Sequence, residues 1–326
     1  MRRTLRWILI ALGALLALLA IGVVANSRSD IPLETLKAHW ATGSSRFIRI
    51  DGMDVHYRDE GAGPAIVLLH GTSSSLHTWD GWARELAKDH RVLRMDLPAF
   101  GLTGPSPKGD YTHEAYAEFL EHFVARVGAA QFVLAGNSLG GAIAWKYALS
   151  HPERVRALVL VDSGGYPLFG GGRPVAFRLA SWPLLPHVLT RLDPRRLVED
   201  GVKKAYGDPT RLRREVLERY YELSLRPGNR QAFVRRMQTD NPDHSARIRG
   251  LRAPTLILWG ARDQLLPVEA ARRFHADIAG SRLIVYPELG HVPMEENPER
   301  SVADVRRFIS ELPTLEAARA PATAAP

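Results

Sequence analysis

One short segment constrains the fold of this chain more than any other: residues 131–141, Gln-Phe-Val-Leu-Ala-Gly-Asn-Ser-Leu-Gly-Gly. An apolar run suited to a buried strand, residues 132–135, leads into a tight turn and then at once into a helical pattern. The serine of that turn, Ser138, would lie in strained backbone geometry, which requires small residues two positions away on either side. Gly136 and Gly140 meet that requirement. We therefore predict a strand, a sharp turn and a helix, with the Ser138 hydroxyl group presented as a nucleophile.

The composition limits the classes of protein to consider. The chain has 326 residues, of which 45% are hydrophobic, enough for one large core with an inserted subdomain. It contains no cysteine, which excludes disulfides, thiolate metal sites and a cysteine nucleophile. The formal net charge is +8, and residues 164–245 supply most of it, with fifteen Lys or Arg against nine Asp or Glu. That segment lacks the signatures of nucleic-acid-binding modules, so we interpret it as a solvated, arginine-rich helical face and predict no nucleic-acid partner.

The amino-terminal segment is predicted to meet a membrane. Arginines at positions 2, 3 and 6 precede an uncharged run at residues 7–25, which as a helix would rise about 28 Å, close to the hydrocarbon thickness of a bilayer. Basic residues ahead of such a run favour a cytoplasmic amino terminus, so the rest of the chain would be periplasmic or extracellular. The run is longer than the apolar part of a cleaved signal peptide, which favours a retained anchor; the alternative is cleavage near Ala25 and secretion.

After residue 45, strand patterns alternate with helix patterns. Such alternation is typical of the α/β class with a doubly wound, mostly parallel sheet, here preceded by an antiparallel hairpin. Between the membrane segment and the sheet, we interpret residues 26–45 as a polar tether with some helical character. We predict an α/β core in two parts, residues 46–163 and 246–312, interrupted by a helical cap at residues 164–245 and followed by a disordered tail at residues 313–326.

The individual elements can be placed along the chain. The predicted strands cover residues 46–51, 53–59, 65–69, 92–95, 132–135, 157–161, 255–259 and 283–286, and the predicted helices cover residues 79–88, 112–127, 141–150, 268–278 and 298–312. Ligands of such sheets bind beyond the carboxyl ends of the strands. Groups that could assist Ser138 are therefore expected at those ends.

A serine hydroxyl is a poor nucleophile at neutral pH and needs a base, which in turn needs a third group to orient it. His291 lies in a glycine-marked loop directly after the last predicted strand and is our candidate base. His70 also ends a predicted strand, but its His-Gly setting favours a role in shaping a loop. For the acid, the chain order Ser138, Asp263, His291 is the one expected for this architecture. Asp162, after the preceding strand, is the alternative acid.

A developing oxyanion needs backbone N–H donors. We predict that they belong to Leu139, in the opening turn of the helix after the serine, and to Thr72, in the loop after the third strand. Ser73 and the serines that follow it are interpreted as a polar loop. Asp96, in a Met-Asp-Leu-Pro sequence, is interpreted as a turn residue.

Together, these motifs resemble those of a known superfamily, the α/β-hydrolases. The nearest pattern is that of secreted or membrane-linked bacterial lipases and esterases, and the resemblance runs from about residue 46 to residue 311 and is weakest in the cap. It implies hydrolysis of carboxylic esters through an acyl-enzyme, with no metal and no organic cofactor. The segments that carry it are residues 70–71, 136–141, 160–164, 259–263 and 290–294.

The leading hypothesis is therefore a serine hydrolase acting on small esters with an apolar acyl or alcohol part. The runner-up is a carbon–carbon bond hydrolase of the meta-cleavage type, which the chain resembles in its Gly-Asn-Ser-x-Gly-Gly turn. Epoxide hydrolases and haloalkane dehalogenases use an aspartate where this chain has Ser138, which disfavours both. A binding protein without activity is a third alternative, since a fold does not dictate a function. The anchor and the basic, partly apolar cap also suggest a site that faces lipid.

Overall fold

The computed structural model describes residues 2–167 and 190–312 of the chain, and a central sheet dominates it. The strand order is β1-β2-β4-β3-β5-β6-β7-β8, and all strands run in one direction except β2, which is antiparallel to both of its neighbours. The strands are β1 (Ser45–Ile50), β2 (Met53–Glu60), β3 (Ala65–Leu69), β4 (Arg91–Met95), β5 (Phe132–Asn137), β6 (Val155–Val161), β7 (Thr255–Gly260) and β8 (Arg282–Tyr286). This is the mostly parallel α/β sheet with an antiparallel start that the sequence predicted.

Helices connect the parallel strands and flank the sheet. Side-chain caps mark some of their starts: Thr112 accepts a hydrogen bond from Ala115 N at the start of the helix His113–Arg126, and Asn297 accepts one from Arg300 N at the start of the helix Pro298–Ser310. Within the described residues the helices are α1 (Arg2–Ala25), α2 (Leu33–Trp40), α3 (Asp80–Leu86), α4 (His113–Arg126), α5 (Leu139–Ser150), α6 (Arg195–Ala205), α7 (Arg214–Ser224), α8 (Asn229–Gln238), α9 (Val268–Asp277), α10 (Pro293–Glu296) and α11 (Pro298–Ser310).

The hydrophobic core consists of two layers, one on each face of the sheet. Because side chains alternate along a strand, Val67 and Leu69 of β3 enter one layer, while Ile66 and Leu68 enter the other. The first layer is completed by α4, α5 and α9, and the second by α3 and α11. Burial on both faces explains why the central strands are continuous apolar runs, which made them recognisable in the sequence.

The segment between β6 and β7 contains the predicted cap. Within its described part lie three helices, α6, α7 and α8, and this part of the chain has no strand of the sheet. Residues 168–189 of the predicted cap and residues 313–326 of the predicted tail lie outside the described residues.

The segment ahead of the sheet is packed against the protein, which differs from the tether that we predicted at residues 26–45. Backbone hydrogen bonds join Arg28 N to Arg191 O and Ile31 N to Leu225 O, both at 2.9 Å. Helix α2 then buries Trp40, whose Nε1 atom donates to Glu222 Oε2 at 2.8 Å. We call residues 26–44 the amino-terminal arm. A polar sequence with only a few apolar side chains concealed this docking.

Helix α1 contains the apolar run for which we predicted a membrane span. Within the part of the chain that the structure describes, no helix combines the length and the apolar character needed to cross a membrane. The predicted span at residues 7–25 is therefore not supported. The side chains of residues 2, 8, 9, 11 and 15–21 in this helix lie outside the described part. Exposed apolar side chains of α1 include Leu5, Trp7, Ile10, Leu12 and Val24.

Candidate active site

Ser138 occupies the turn between β5 and α5 in a strained backbone conformation. Its φ is 52° and its ψ is −113°, a region that residues with a side chain rarely adopt. The Ser138 N–H donates to the carbonyl oxygens of Val161 and Asp162 at 3.1 and 3.2 Å, so β6 holds the strained residue in place. A Cβ added to Gly140 would lie 2.2 Å from Leu69 O, which explains the glycine at that position. The local geometry is that of a nucleophile elbow.

His291 and Asp263, the predicted base and acid, are directly hydrogen-bonded. His291 Nδ1 lies 2.7 Å from Asp263 Oδ2, and the two side chains are 7% and 0% exposed. The other oxygen of Asp263, Oδ1, accepts from the N–H groups of Leu265 at 2.7 Å and Leu266 at 3.0 Å. These bonds fix the carboxylate as an acceptor and place the imidazole proton on Nδ1. Nε2 then remains as the nitrogen that can take a proton from a nucleophile.

A side chain next to the elbow serine ties the elbow to the histidine loop. Asn137 Nδ2 donates to the carbonyl oxygen of His291 at 2.9 Å and to that of Val161 at 3.1 Å, and the asparagine is buried. The loops that carry Ser138 and His291 therefore meet, although more than 150 residues of chain separate them. The motif reasoning overlooked Asn137; its position directly before the serine was the available signal.

The loop after β3 passes over the same elbow. A Cβ added to Gly71 would lie 3.2 Å from Ser138 Cβ, so the backbone there approaches the nucleophile closely. His70 is buried, with Nδ1 2.7 Å from Gly71 O, and its Nε2 atom accepts from Leu97 N at 2.9 Å. Both ring nitrogens are thus used to shape the loop, as its sequence setting favoured. Thr72, the next residue, is half-buried, and its part in an oxyanion hole stays a prediction, as does that of the Leu139 N–H.

Asp162, the alternative acid, lies beside the histidine–aspartate pair, but the hydrogen bond from the His291 ring is accepted by Asp263. Asp162 is fully buried, and its Oδ1 atom accepts from Gly260 N at 2.9 Å. Burial raises the pKa of the Asp162 carboxyl well above its usual range, and the adjacent Asp263 raises it further.

Asp162, Asp263 and His291 also have ligand atoms close enough together to hold a metal ion, and they are the group of this kind within the described residues. One ligand atom from each of Asp162, Asp263 and His291 lies within 4.8 Å of the other two. A divalent cation would have to compete with the hydrogen bond between His291 and Asp263, which already uses the ring nitrogen and the carboxylate oxygen. The arrangement fits proton transfer better than metal binding.

Asp96 corrects one of our sequence interpretations. Its side chain is buried and makes hydrogen bonds to several parts of the chain, so it is not merely a turn residue. Its carboxylate accepts from the N–H groups of Leu76 and Leu102, both at 2.7 Å, and lies 2.8 Å from His56 Nδ1. Burial would raise the pKa of Asp96, but His56 and two further histidines outweigh this effect and hold it well below its usual range. These contacts join the loops after β3 and β4.

Asp96 and His56 also belong to a second serine–histidine–aspartate array. His56 Nε2 lies 2.9 Å from Ser45 Oγ on the first strand, while His56 Nδ1 faces Asp96. Ser45 differs from Ser138 in two respects. It has no left-handed backbone strain, and its oxygen also accepts a hydrogen bond from Arg58 Nε at 3.1 Å, which lowers the nucleophilicity of its lone pairs. Geometry alone therefore distinguishes the elbow serine from this structural array.

The segment between β6 and β7 is attached directly to the histidine loop. His291 N donates to Ala205 O at 2.7 Å. The buried carboxylate of Glu296 accepts from the N–H groups of Gly207, Asp208 and Gly290 at 3.0, 2.9 and 2.9 Å, and so joins that segment to the residue before the histidine. Sequence reasoning overlooked Glu296, and no local pattern in the sequence marks it.

A buried ion pair makes a second attachment. Arg219 Nη2 of α7 lies 2.5 Å from Glu295 Oε1 of α10, and the two side chains are 9% and 6% exposed. Tyr206 and Tyr220 also direct their hydroxyl groups to Glu295, at 3.1 and 3.3 Å. The Tyr220 hydroxyl further lies 3.1 Å from Ser74 Oγ, in the loop that carries Thr72. One helix of the segment thus contacts both loops that border the elbow.

Comparison with known proteins agrees with this geometry. The model of the alpha/beta hydrolase fold family matches residues 64–298, more than half of the chain. The chain belongs to the α/β-hydrolase family. Within that family, it is 29% identical to the 2-hydroxymuconate semialdehyde hydrolase of a Pseudomonas strain, over 80% of this chain and 92% of that one.

Two solved structures, of a phospholipase and of an esterase, also resemble this chain. A membrane phospholipase A, described as a bacterial virulence factor, is 25% identical, with a TM-score of 0.71 over 96% of this chain and 99% of that one. A thermophilic esterase from Thermogutta terrifontis is 28% identical, with a TM-score of 0.71 over 83% of this chain and 100% of that one. The relatives thus include both esterases and hydrolases of other substrates.

Proposed function

We propose that this α/β-hydrolase is a serine hydrolase that cleaves carboxylic esters with an apolar acyl or alcohol part through an acyl-enzyme. The observation that carries the proposal is the hydrogen bond between His291 and Asp263, together with the hydrogen bond by which Asn137, the residue before the strained elbow serine, holds the histidine loop. Esterase and phospholipase structures among the similar proteins support an ester substrate.

In the proposed reaction, Ser138 Oγ attacks the ester carbonyl carbon while His291 Nε2 takes its proton. Asp263 stabilises the imidazolium that forms, since its carboxylate faces Nδ1. The imidazolium then returns the proton to the leaving alcohol, and the acyl group stays on the serine. A water molecule, deprotonated by the same nitrogen, hydrolyses the acyl-enzyme. The N–H groups of Thr72 and Leu139 would hold the oxyanion, and each such donor is worth on the order of a hundredfold to a thousandfold in kcat.

The helical segment between the two parts of the core would serve as the cap of this site. Its contacts to the histidine loop through Ala205 and to the loop after β3 through Tyr220 support that role. A cap that contacts both loops would exclude water and line the substrate pocket.

A fluorophosphonate probe tests the proposal most directly, because it reacts with activated serines. We expect labelling and hydrolysis of p-nitrophenyl butyrate by the wild type, and loss of both in Ser138→Ala. Ser45→Ala is the matched control, because it removes the serine of the other histidine–aspartate array. Ser150→Ala, on the exposed end of α5, controls for surface changes. Retained labelling and turnover in Ser138→Ala would refute the proposal.

A carbon–carbon bond hydrolase is the second candidate, favoured by the similarity to the 2-hydroxymuconate semialdehyde hydrolase. It would use the same serine and histidine on a dienoate of the meta-cleavage type. Parallel assays with such a dienoate and with a panel of p-nitrophenyl esters of graded acyl length distinguish the two. A higher kcat/KM for the dienoate than for every ester would favour the second candidate.

We also propose that helix α1 associates the protein with a bilayer and that the catalytic part lies on the non-cytoplasmic side. Exposed Leu5, Trp7 and Ile10 support the association, because such side chains bury well at the boundary between head groups and acyl chains. The basis for the proposed side is the arginines ahead of the apolar run. The likeness to a membrane phospholipase A over 96% of this chain points the same way. Membrane fractions should retain the full chain after a high-salt wash, and a variant without residues 2–25 should be found in the supernatant.

A further inference from the structure

Asp162 is a buried acidic residue that the proposed reaction does not use. It follows β6 directly, is 0% exposed, and has a φ of 42°. Its Oδ1 atom has a donor in Gly260 N, but its Oδ2 atom has no hydrogen-bond partner among the residues that the structure describes. A buried carboxylate oxygen without a donor is unfavourable and rare in native proteins. A protonated oxygen in the same place would itself be a donor and would need only an acceptor.

The surroundings of Asp162 favour the protonated form. An oxygen atom of Asp162 and one of Asp263 lie within 4.8 Å of each other and of a nitrogen of His291. Two further ionisable groups also act on Asp162: Glu296, after β8, and Tyr286, within β8. Burial, Asp263 and Glu296 all raise the pKa of the Asp162 carboxyl. Two carboxylates this close, away from water, cannot both remain charged at low cost, and one proton resolves the conflict.

Building on the function proposed above, we propose that Asp162 is a positioning residue: its carboxyl group is protonated and donates a hydrogen bond from Oδ2 to the carboxylate of Asp263. Asp263 then accepts from Asp162, from His291 Nδ1 and from the backbone N–H groups of residues 265 and 266. The proton stays on Asp162 through the reaction, while His291 alone exchanges protons with the substrate. No bond to the substrate is made by Asp162.

This hydrogen bond has a consequence for catalysis. A donor to the Asp263 carboxylate makes that carboxylate less basic, so it stabilises the imidazolium of His291 less strongly. The neutral imidazole, which is the form that can accept the serine proton, then persists to lower pH. Removal of the donor should move the acidic limb of the kcat/KM profile to higher pH, by about one pH unit.

Substitutions at position 162 test whether the Asp162 carboxyl group is protonated. Asn is the uncharged isostere of a protonated Asp, because its amide oxygen can accept from Gly260 N while its amide group donates to Asp263. We expect Asp162→Asn to keep kcat/KM for p-nitrophenyl butyrate within about threefold and to keep the pH profile. Asp162→Leu has no donor and should show the shifted acidic limb. Asp263→Asn, in contrast, should lose about 10⁴-fold in kcat.

Infrared spectroscopy gives a readout that does not depend on activity. The wild type at pH 7 should show the carbonyl stretching band of a buried carboxylic acid, which a carboxylate lacks, and Asp162→Asn should lose that band. The absence of the band from the wild type overturns the proposal, whether or not the variants fold. A loss of activity in folded Asp162→Asn as large as that in Asp263→Asn overturns it too. If the wild type hydrolyses no ester but shows the band, the ester function fails and the protonated Asp162 stands.

Discussion

The side chain of Asn137 donates a hydrogen bond to the carbonyl oxygen of His291 at 2.9 Å, so the residue before the proposed nucleophile holds the backbone of the proposed base. The same amide group also donates to Val161 O, and both of its protons are therefore used. This arrangement sets the elbow and the histidine loop at a fixed separation. It makes Asn137 a test of how much of the activity depends on positioning.

Asn137→Ala should lower kcat/KM for ester substrates by about tenfold to a hundredfold, because a small displacement of the base costs that much in rate. The free energy of unfolding should fall by about 1 to 3 kcal/mol, since His291 O loses the donor that Asn137 supplies and Val161 O keeps only the Ser138 N–H. Asn229 is a matched control: it is also buried, and its Nδ2 atom donates to Gly101 O and Leu223 O. Asn229→Ala should be destabilised similarly without the loss of kcat. Equal kinetic losses in both variants would exclude a special role of Asn137.

The amino-terminal arm should contribute to stability through Trp40. This tryptophan is 7% exposed and packs with Leu36, Leu102 and Leu223 in a small separate cluster. Trp40→Ala should lower the free energy of unfolding by about 3 to 5 kcal/mol in urea denaturation. Trp7→Ala, on the exposed side of α1, is the matched control and should change it by less than about 0.5 kcal/mol, because that side chain is 69% exposed. Similar values for the two variants would mean that the arm does not dock in solution.

The buried ion pair between Arg219 and Glu295 should behave differently from an exposed one. Arg219→Ala leaves the Glu295 carboxylate buried without its charged partner, so we expect a loss of about 3 kcal/mol in the free energy of unfolding. Arg49→Ala is the control, because the side chains of Arg49 and Asp54 are 65% and 66% exposed; it should cost about 0 to 1 kcal/mol. Replacing Arg219 and Glu295 together by Met and Leu should recover part of the loss. A cost below about 1 kcal/mol for Arg219→Ala would argue against this pair as an attachment of the cap segment.

If Asp162 is protonated in the folded protein, the free energy of unfolding should depend on pH in a specific way. Its pKa is raised in the folded state, so the folded chain binds this proton more tightly than the unfolded chain does. The stabilisation is complete below about pH 4, the ordinary value for an unfolded Asp, and is lost as the pH rises towards the folded pKa. Asp162→Asn lacks this dependence. Its free energy of unfolding relative to the wild type should therefore increase with pH, by at most about 1.4 kcal/mol per pH unit.

Urea denaturation at several values between pH 5 and pH 8 measures that slope. Asp243→Asn is the control, because hydrogen bonds from Ser245 lower the pKa of this exposed carboxyl, the opposite direction. Its stability relative to the wild type should stay constant over this range, since any stabilisation from a lowered pKa is lost only in acid. A constant difference for Asp162→Asn as well would show that Asp162 is ionised in the folded protein.

Much of the sheet was predictable because its strands are buried on both faces. The strand that we predicted at residues 65–69 is β3 (Ala65–Leu69), and the other strands begin and end within two residues of the predictions. The proposed triad could be predicted from Ser138 and chain order, since elbow glycines and loop positions are local features. These features depend on a few neighbouring residues and so can be read in a single sequence.

The supporting contacts could not be predicted, because each joins residues that are far apart in the chain. The bond from Glu296 to the backbone of Gly207 requires a carboxylate and an N–H group that meet only in the folded protein. Asp96 was underestimated for the same reason: its three partners come from β2 and from two different loops. The docked arm depends on two buried side chains, Leu36 and Trp40, in a mostly polar segment. The polar composition of the arm favoured a segment that does not pack on the core, so nothing in the sequence indicated this docking.

Glu296 bears on how this enzyme could be re-engineered. One carboxylate holds Gly207 and Asp208 on one side and Gly290 on the other. Consider a chimera in which the helical segment is replaced by that of a relative. It would lose the hydrogen bonds of Glu296 to residues 207 and 208 unless the replaced part began after position 208 or its backbone had the same course there. The junction thus defines a boundary for recombination: the proposed cap can be exchanged on one side of it, while the loop of the proposed base, His291, on the other side is inherited intact.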